Sequence, residues 1–296
     1  MVWNKRAEWS WGYFLVAPTI IGLIILNIIP IFQSLYLSFF KSGDFGRGNV
    51  FVGLDNYRTL VFDPQVWMAT SNTLLYTLLV VPTSMAIALL LAVWLNSGVA
   101  GKGFFRTIYF IPMAAAPAAV TMVWKWLYNR EFGLINYILE STGFDAVDWI
   151  HNPRVALISV SIIGIWSLIG YAMVLFLAGL QEIPKDYYEA IDIDGGGGFV
   201  KFRYITLPLV SPTMFFIAVT SIIQSMQVFD VIYMMIGVTS PAYEHTVSLV
   251  YLFYNNSFKY SNKGYGSAII ILLLAIIMII TFLQVKLQKR WVNYRD

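Results

Sequence analysis

Long uncharged apolar runs constrain this chain more than any other feature. The first, residues 12–40, contains no Asp, Glu, Lys or Arg. At about 1.5 Å per residue, a helix of that length exceeds the roughly 30 Å hydrocarbon core of a bilayer. Similar runs recur along the 296 residues, and we predict six membrane spans. Their predicted bounds are about 12–40, 71–95, 107–124, 155–180, 208–235 and 266–285.

Composition supports a polytopic membrane protein. Only 12% of the residues are charged, whereas soluble domains carry about 25%. The net charge of +3 is too small to indicate nucleic-acid binding. The chain has no cysteine, and its two histidines, His151 and His245, lie far apart in predicted external loops. We therefore expect an all-α integral membrane protein in a lipid bilayer, with no catalytic site, no metal site and no nucleic-acid partner.

The distribution of basic residues predicts the orientation of the chain. Six spans place both termini on one side, together with residues 96–106 and 181–207. That side carries eleven of the 19 Lys and Arg residues, against eight on the other. By the positive-inside rule, both termini are predicted to be cytoplasmic, in a multi-pass protein of the inner cell membrane. Residues 1–11 are then a cytoplasmic leader, and residues 12–296 form the transmembrane domain.

Prolines mark expected irregularities in the spans. Pro18 and Pro30 are candidate bend points in the first span, and Pro112 and Pro117 interrupt the third. The segment GLDNYRTLVFD, between the first two spans, predicts a short helix on the membrane surface.

The stretch from Gln181 to Pro208 is polar and glycine-rich between two apolar spans. It predicts a helix over 185–193, a turn at Asp194-Gly195 and a second helix over 198–204. Helices this short are marginal in water, so the segment must pack against something. From the residues alone, the helix bundle of the same chain and another protein are equally good candidates. The four consecutive glycines lack the following Lys-Ser/Thr pair of a phosphate-binding loop.

The same stretch closely resembles the EAA loop of binding-protein-dependent ABC importer permeases. The matching residues are Glu189, Ala190, Asp194, Gly195, Leu207 and Pro208. Two residues depart from the pattern: Ile191 stands where a second alanine is common, and Gly196 stands where alanine often follows Asp-Gly. The resemblance is to the sugar branch, which includes maltose-type and glycerol-phosphate-type permeases.

That resemblance implies a type I ABC importer permease fold with cytoplasmic coupling helices. It implies that the loop docks into an ATP-binding subunit, with Glu189 in contact with that subunit. The implied partners are a second related permease subunit, two ATP-binding cassette subunits and an extracellular solute-binding protein. ATP and Mg would be held by the cassette subunits, and this chain would bind no cofactor.

Polar residues within the spans indicate a transport path. Ser221, Gln224 and Ser225 are spaced by three and four residues, so they share a face of the fifth span near mid-membrane. Any single one is explained as well by helix–helix contact. The resemblance places substrate contacts on the middle of the fourth and fifth spans, which adds Gly164 and Tyr171. We expect Asp230, further outward, to have a structural role.

The middle parts of the spans hold no Lys or Arg. A phosphate or carboxylate substrate would favour a basic partner, so a sugar or oligosaccharide is the expected substrate. Glycerol-3-phosphate or another phosphorylated polyol is the alternative within the same machinery. An ion-coupled secondary transporter is the alternative of another class, but it would need embedded carboxylates where only Asp230 is available.

Overall fold

The computed structural model describes residues 5–42, 49–97 and 101–293, and most of them are helical. The helices are α1 (Lys5–Leu23), α2 (Ile29–Leu37), α3 (Asp55–Phe62), α4 (Pro64–Asn96), α5 (Lys102–Ala114), α6 (Pro117–Leu127), α7 (Leu134–Ser141), α8 (Ala156–Gln181), α9 (Lys185–Ile193), α10 (Gly198–Lys201), α11 (Leu207–Leu209), α12 (Ser211–Met226), α13 (Asp230–Met235), α14 (Leu249–Tyr254) and α15 (Lys263–Gln288). Three π-helical segments, Ile24–Ile28, Phe202–Thr206 and Asn255–Lys259, connect neighbouring helices. The predicted helical membrane architecture is confirmed.

Besides the helices, the described residues contain one short two-stranded sheet. Strands β1 (Phe40–Ser42) and β2 (Asn49–Phe51) pair antiparallel, with Phe40 opposite Phe51. The hairpin follows the first span, and its pairing satisfies backbone polar groups of both strands. The prediction missed it because three-residue strands carry too little alternation to be recognised.

By length and apolarity, five described helices can cross a membrane, or six if one sharply bent pair counts as a single span. Most predicted bounds shift by a few residues. Helix α4, which holds the predicted second span, begins at Pro64, before the predicted bound at residue 71. The fourth and sixth spans correspond to α8 and α15.

The described residues divide into two compact units. One comprises Met1–Asp63 and Leu252–Leu272, and the other comprises Pro64–Tyr251 and Leu273–Asp296.

In the first unit, the first span is one helical run from Lys5 to Leu37. From Lys5 onward, the predicted leader at residues 1–11 is helical and continuous with the apolar run, because no helix breaker stands between them. Its cytoplasmic location stays a prediction. The helical run ends at Leu37, before the predicted bound at residue 40, and Phe40 begins β1. The run passes through Pro18, and Pro30 follows the first π-helical segment. None of the most apolar window of this span is buried within the chain, as expected of a surface that faces lipid.

Hydrogen bonds fix the ends of the helices in this unit. The Asn56 amide, on the predicted surface helix α3, donates to the Ser38 carbonyl at 2.8 Å and the Phe40 carbonyl at 2.9 Å. The Tyr265 hydroxyl donates to the Asp63 carboxylate at 2.5 Å.

The second unit is built on α4, α8 and α12, which pack around a core that includes Ala88, Ala92, Met173 and Phe176. Glycines on α8 allow α5 and α12 to pack closely against it. A Cβ at Gly170 would meet the Tyr109 carbonyl carbon of α5 at 2.9 Å. A Cβ at Gly179 would likewise meet Thr213 of α12.

Two spans of this unit are broken, which the predicted bounds 107–124 and 208–235 did not anticipate in full. The third span consists of α5 and α6, which meet at an angle of 101°. Pro117 begins α6, and Pro112 lies inside α5 without ending it. The fifth span is interrupted between α12 and α13, where residues 227–229 leave the helix.

Candidate functional site

A cavity of about 490 Å³ lies in the second unit, lined by side chains from α4, α5, α6, α8, α12 and α13. Both broken spans contribute at their breaks: Ala115 at the bend between α5 and α6, and residues 227–229 between α12 and α13. Discontinuous helices are the elements that build substrate sites in many transporters. The cavity is therefore the candidate substrate path.

The structure brings together four of the five residues predicted to contact substrate. Gly164, Tyr171, Gln224 and Ser225 line the cavity, whereas Ser221 does not. Ser221 is fully buried one helical turn before Ser225, and its Oγ has no hydrogen-bond partner among the described residues. Its spacing of three and four residues from Gln224 and Ser225 predicted that Ser221 shares their helix face. The spacing did not show that the cavity ends before it reaches Ser221. The substrate contacts themselves stay predictions.

Two of the lining residues already have packing roles. The Tyr171 hydroxyl donates to Thr220 Oγ1 at 3.2 Å, and Thr220 donates to the Phe216 carbonyl at 2.9 Å. At Gly164, an added Cβ would collide with the Tyr76 hydroxyl and approach Val80 Cγ2 at 3.1 Å. Gly164 therefore supplies space rather than a polar contact.

Sequence reasoning missed Tyr76, Ser167 and Gln227, which also line the cavity. Helix α4 was treated only as an uncharged span. Its polar residues nevertheless recur at helical spacing, at Thr73, Tyr76 and Thr77, and this pattern could have indicated an inward face.

The described lining of the cavity contains one acidic residue and no basic residue. Asp230 lines the cavity with its side chain exposed, and it makes no ion pair with any residue that the structure describes. An ion pair that would support the expected structural role of Asp230 is therefore not seen among these residues, and that role stays a prediction. No Lys, Arg or His belongs to the described lining, whose other polar members are amides and hydroxyls.

The predicted EAA loop forms a helix, a tight turn and a second short helix. Helix α9 ends at Ile193 with Asp194 as its C-cap, and Gly195 follows with φ +73°. The Gly195 N–H donates to the Asp192 carbonyl at 3.1 Å, and the Gly196 N–H donates to the Ile191 carbonyl at 2.8 Å. This is a Schellman motif, which requires a left-handed residue and so explains Gly195. The second helix is shorter than expected, since α10 ends at Lys201 and π-helical residues 202–206 follow.

One face of the loop packs on its own chain. Tyr188, Ile191, Phe202 and Leu207 pack against the core of the second unit, and Ile205 is buried in it. The hydroxyls of Tyr188 and Thr206 lie 3.1 Å apart. The alternative of packing against the same bundle is thus correct for this face.

The opposite face is unoccupied by the described chain. Glu189 and Ala190 are exposed, and so are the large apolar side chains of Ile193 and Phe199, which are 87% and 79% exposed. Glu189 forms no hydrogen bond or ion pair with a described residue, whereas neighbouring Asp192 pairs with Lys201 at 2.5 Å. Asp194 is also exposed, at the end of α9.

Leu207 and Pro208 lie half-buried where the loop returns to the membrane domain. The Pro208 carbonyl accepts a hydrogen bond from Ser211 Oγ at 2.6 Å, and Ser211 Oγ accepts one from the Asn293 N–H at 2.9 Å. The loop is thereby joined to both the fifth span and the C-terminal tail. Its role in coupling stays a prediction.

The two departures from the EAA pattern are in contact with each other. A Cβ at Gly196 would collide with Ile191 Cγ2 and would lie 3.2 Å from the Ile191 carbonyl oxygen. The larger residue at position 191 thus occupies the space that an alanine side chain at position 196 would need. The two substitutions form a compensating pair.

Among the described residues, no group of three or more His, Asp or Glu side chains could hold a metal ion. His151 lies 3.2 Å from the Asp148 carboxylate in the loop between α7 and α8. Partial burial raises the pKa of Asp148, but hydrogen bonds from His151 outweigh it and hold this pKa below its usual value. The pair is a local contact at the surface.

Comparison with known proteins gives a consistent result. The family described as "Binding-protein-dependent transport system inner membrane component" matches residues 71–293. The chain is 35% identical over 283 residues to an sn-glycerol-3-phosphate transport system permease protein of Agrobacterium fabrum, covering 95% of this chain and 96% of that protein. It is 31% identical over 285 residues to a trehalose/maltose transport system permease protein of Thermococcus litoralis, covering 96% of each.

Among solved structures, the chain resembles one in a bacterial alginate ABC transporter, crystallised with an alginate pentasaccharide-bound periplasmic protein. The TM-score is 0.85 at 21% sequence identity, covering 100% of this chain and 99% of that one. At this identity the likeness concerns the fold, and it confirms the predicted type I importer permease architecture.

Proposed function

The chain belongs to the family of binding-protein-dependent transport system inner membrane components, and from that premise we propose that it conducts a neutral saccharide through the cavity of its second unit. It is a membrane-embedded permease subunit of an ABC importer that works with a solute-binding protein, and it is not an enzyme. Family membership sets aside the ion-coupled alternative. The identity of the substrate is the proposed part.

One observation carries the substrate class: the cavity holds the Asp230 carboxylate and no basic residue in its described lining. At a separation of several ångströms in a partly hydrated site, two like unit charges repel by about 1–2 kcal/mol. A phosphate group would meet that repulsion without a compensating cation. Sugar hydroxyls, by contrast, can donate to Asp230 and exchange hydrogen bonds with the amides of Gln224 and Gln227.

Glycerol-3-phosphate remains the second candidate because a permease named for that substrate is 35% identical to this chain. A permease named for trehalose and maltose is similar at 31%. The two identities are too close to separate the substrates, so the proposal rests on the charge of the cavity.

The proposed assembly contains a second related permease subunit and two ATP-binding cassette subunits, which hold ATP and Mg. The exposed face of α9, with Glu189, Ala190 and Ile193, is the proposed docking surface for one cassette subunit. Both termini are proposed to be cytoplasmic, on the side with the excess of Lys and Arg. Leu207 and Pro208 would transmit the motion of the docked loop to the fifth span.

The experiment is uptake into proteoliposomes that contain the assembled transporter, its binding protein and internal ATP. Radiolabelled maltose, trehalose and glycerol-3-phosphate are supplied separately. Uptake of a neutral sugar with no measurable uptake of glycerol-3-phosphate supports the proposal. Preferential uptake of the phosphorylated polyol would establish the second candidate instead.

A further inference from the structure

Tyr76 is exceptional among the buried hydroxyl-bearing residues of α4. It is 5% exposed and lines the cavity, yet its hydroxyl bonds to none of the residues that the structure describes. Thr73, Thr77 and Ser84, on the same helix, each donate to the carbonyl one turn back, at 2.6, 2.8 and 2.7 Å. The residue as a whole is buried and lines the cavity, so a molecule in the cavity is available to accept a hydrogen bond from this hydroxyl.

The surrounding helices hold this hydroxyl in place. Gly164 of α8 faces it so closely that an added Cβ would collide with the hydroxyl and lie 3.0 Å from ring carbon Cζ. The absence of a side chain at position 164 therefore creates the space in which the phenol ends. Contact between two packed helices, rather than a flexible loop, sets the position of the donor.

A second tyrosine, Tyr171, also lines the cavity, but its hydroxyl has an acceptor within the protein. The hydroxyl of Tyr171 already donates its proton to Thr220. Of these two phenols, Tyr76 is the one whose hydroxyl donates no hydrogen bond to a described residue. Sequence reasoning selected Tyr171, but the hydrogen bonds favour Tyr76.

We infer that the Tyr76 hydroxyl determines specificity by donating a hydrogen bond to the oxygen of one hydroxyl group of the transported saccharide. This inference rests on the proposed function. Gln224 and Asp230 line the same cavity from α12 and α13, so a sugar held there would meet polar groups from both the second and the fifth spans. A binding site that hydrogen-bonds a substrate hydroxyl discriminates strongly against an analogue that lacks it.

The test compares wild-type transporter with Tyr76→Phe, which removes only the oxygen. Binding of tritiated maltose and trehalose, and of their monodeoxy derivatives, is measured on the assembled complex held with a non-hydrolysable ATP analogue. We expect Tyr76→Phe to weaken binding of the parent sugar about 3- to 10-fold, the range for one hydrogen bond. For one particular deoxy derivative, wild type and variant should bind equally, because the interacting oxygen is already absent.

Thermal stability provides a second readout. Because the Tyr76 hydroxyl has no partner in the described protein, Tyr76→Phe should leave the Tm of the sugar-free complex unchanged or raise it. Tyr251→Phe is the matched control: this buried tyrosine lies outside the cavity lining and donates to the Ile236 carbonyl at 3.2 Å. Its Tm should fall, and any effect on sugar binding should be the same for every analogue.

Each outcome decides the matter. Equal binding of the parent sugars by wild type and Tyr76→Phe overturns the inference, and so does a loss that is uniform across all deoxy derivatives. A lower Tm for Tyr76→Phe would show that the hydroxyl has a structural partner, which also overturns it. If the wild-type complex neither binds nor transports any neutral sugar, the proposed function fails, and the inference fails with it.

Discussion

The compensating pair Ile191 and Gly196 allows a sharp prediction for the EAA loop. Gly196 does not have a positive φ, so the backbone itself accepts alanine. The obstacle is steric, because the new methyl group would collide with Ile191 Cγ2. The Gly196 N–H is held at 2.8 Å from the Ile191 carbonyl oxygen, so the methyl cannot retreat without opening the turn. Overpacking of this kind costs about 1–3 kcal/mol.

Amide hydrogen exchange of the peptide that covers residues 185–201 measures this cost locally. If the turn is destabilised by about 1–3 kcal/mol, its protected amides should exchange about 5- to 150-fold faster in Gly196→Ala. Adding Ile191→Ala should abolish the extra effect of Gly196→Ala, giving a coupling energy of about 1–3 kcal/mol in the double-mutant cycle. The double variant should then exchange at about the rate of Ile191→Ala alone.

The neighbouring Gly197→Ala is the matched control, because a Cβ there meets nothing within 4 Å. We expect its peptide to exchange no faster than wild type, since replacing glycine at a compatible position stabilises by about 0.4–1 kcal/mol. The reasoning is refuted if Gly196→Ala and Gly197→Ala behave alike. It is equally refuted if Ile191→Ala and Gly196→Ala are simply additive.

Three further predictions follow from exposed, charged and tightly packed positions. Glu189→Ala should leave the Tm within about 1 °C of wild type, because the side chain is exposed. In the assembled transporter, ATP hydrolysis should no longer be coupled to uptake. Fully coupled transport by this variant would contradict the docking role of Glu189. Asp230→Asn should raise the affinity for glycerol-3-phosphate relative to that for maltose about tenfold. The reason is that removing one unit charge at several ångströms in a partly hydrated site changes the binding free energy by about 1–2 kcal/mol. An unchanged ratio of the two affinities in equilibrium binding would contradict the assignment of the substrate class from the charge of the cavity. Gly170→Ala should lower the Tm by several degrees, because its Cβ would meet the Tyr109 backbone carbon at 2.9 Å and backbone cannot move aside as a side chain can. Gly103→Ala, with nothing within 4 Å of the added Cβ, serves as its control in the same thermal melt and should leave the Tm unchanged or slightly raised.

Much of the membrane architecture could be predicted because its signals are local. A run of apolar residues long enough to cross a bilayer is visible in the sequence itself, and helices are the form in which an open chain segment satisfies its backbone there. The turn at Asp194-Gly195 was predictable for a similar reason, since a left-handed residue at the end of a short helix favours glycine.

Breaks in the spans were only partly predictable. Pro117 marks the start of α6, but a proline does not specify the 101° between α5 and α6. Pro112 has the same chemistry and lies inside α5 without ending it. The break between α12 and α13 contains neither proline nor glycine and therefore left no local signal.

The candidate site was likewise predictable only in part from the sequence. Helical spacing correctly grouped Gln224 with Ser225 on one face, but it could not exclude Ser221, which lies on that face beyond the cavity. The exposure of Asp230 in the cavity also had no counterpart in the sequence, where a structural role was expected.

By itself, the sequence determined a helical membrane protein with an EAA loop, because span length and motif are properties of contiguous residues. Only the tertiary structure decided that Tyr76 carries an uncommitted hydroxyl in the cavity while Tyr171 is already bonded. It also decided that Ile191 and Gly196 compensate for each other. The reason is that each of these facts depends on the distance between atoms brought together by packing or by a closed turn, and a linear pattern of residue types does not specify such distances.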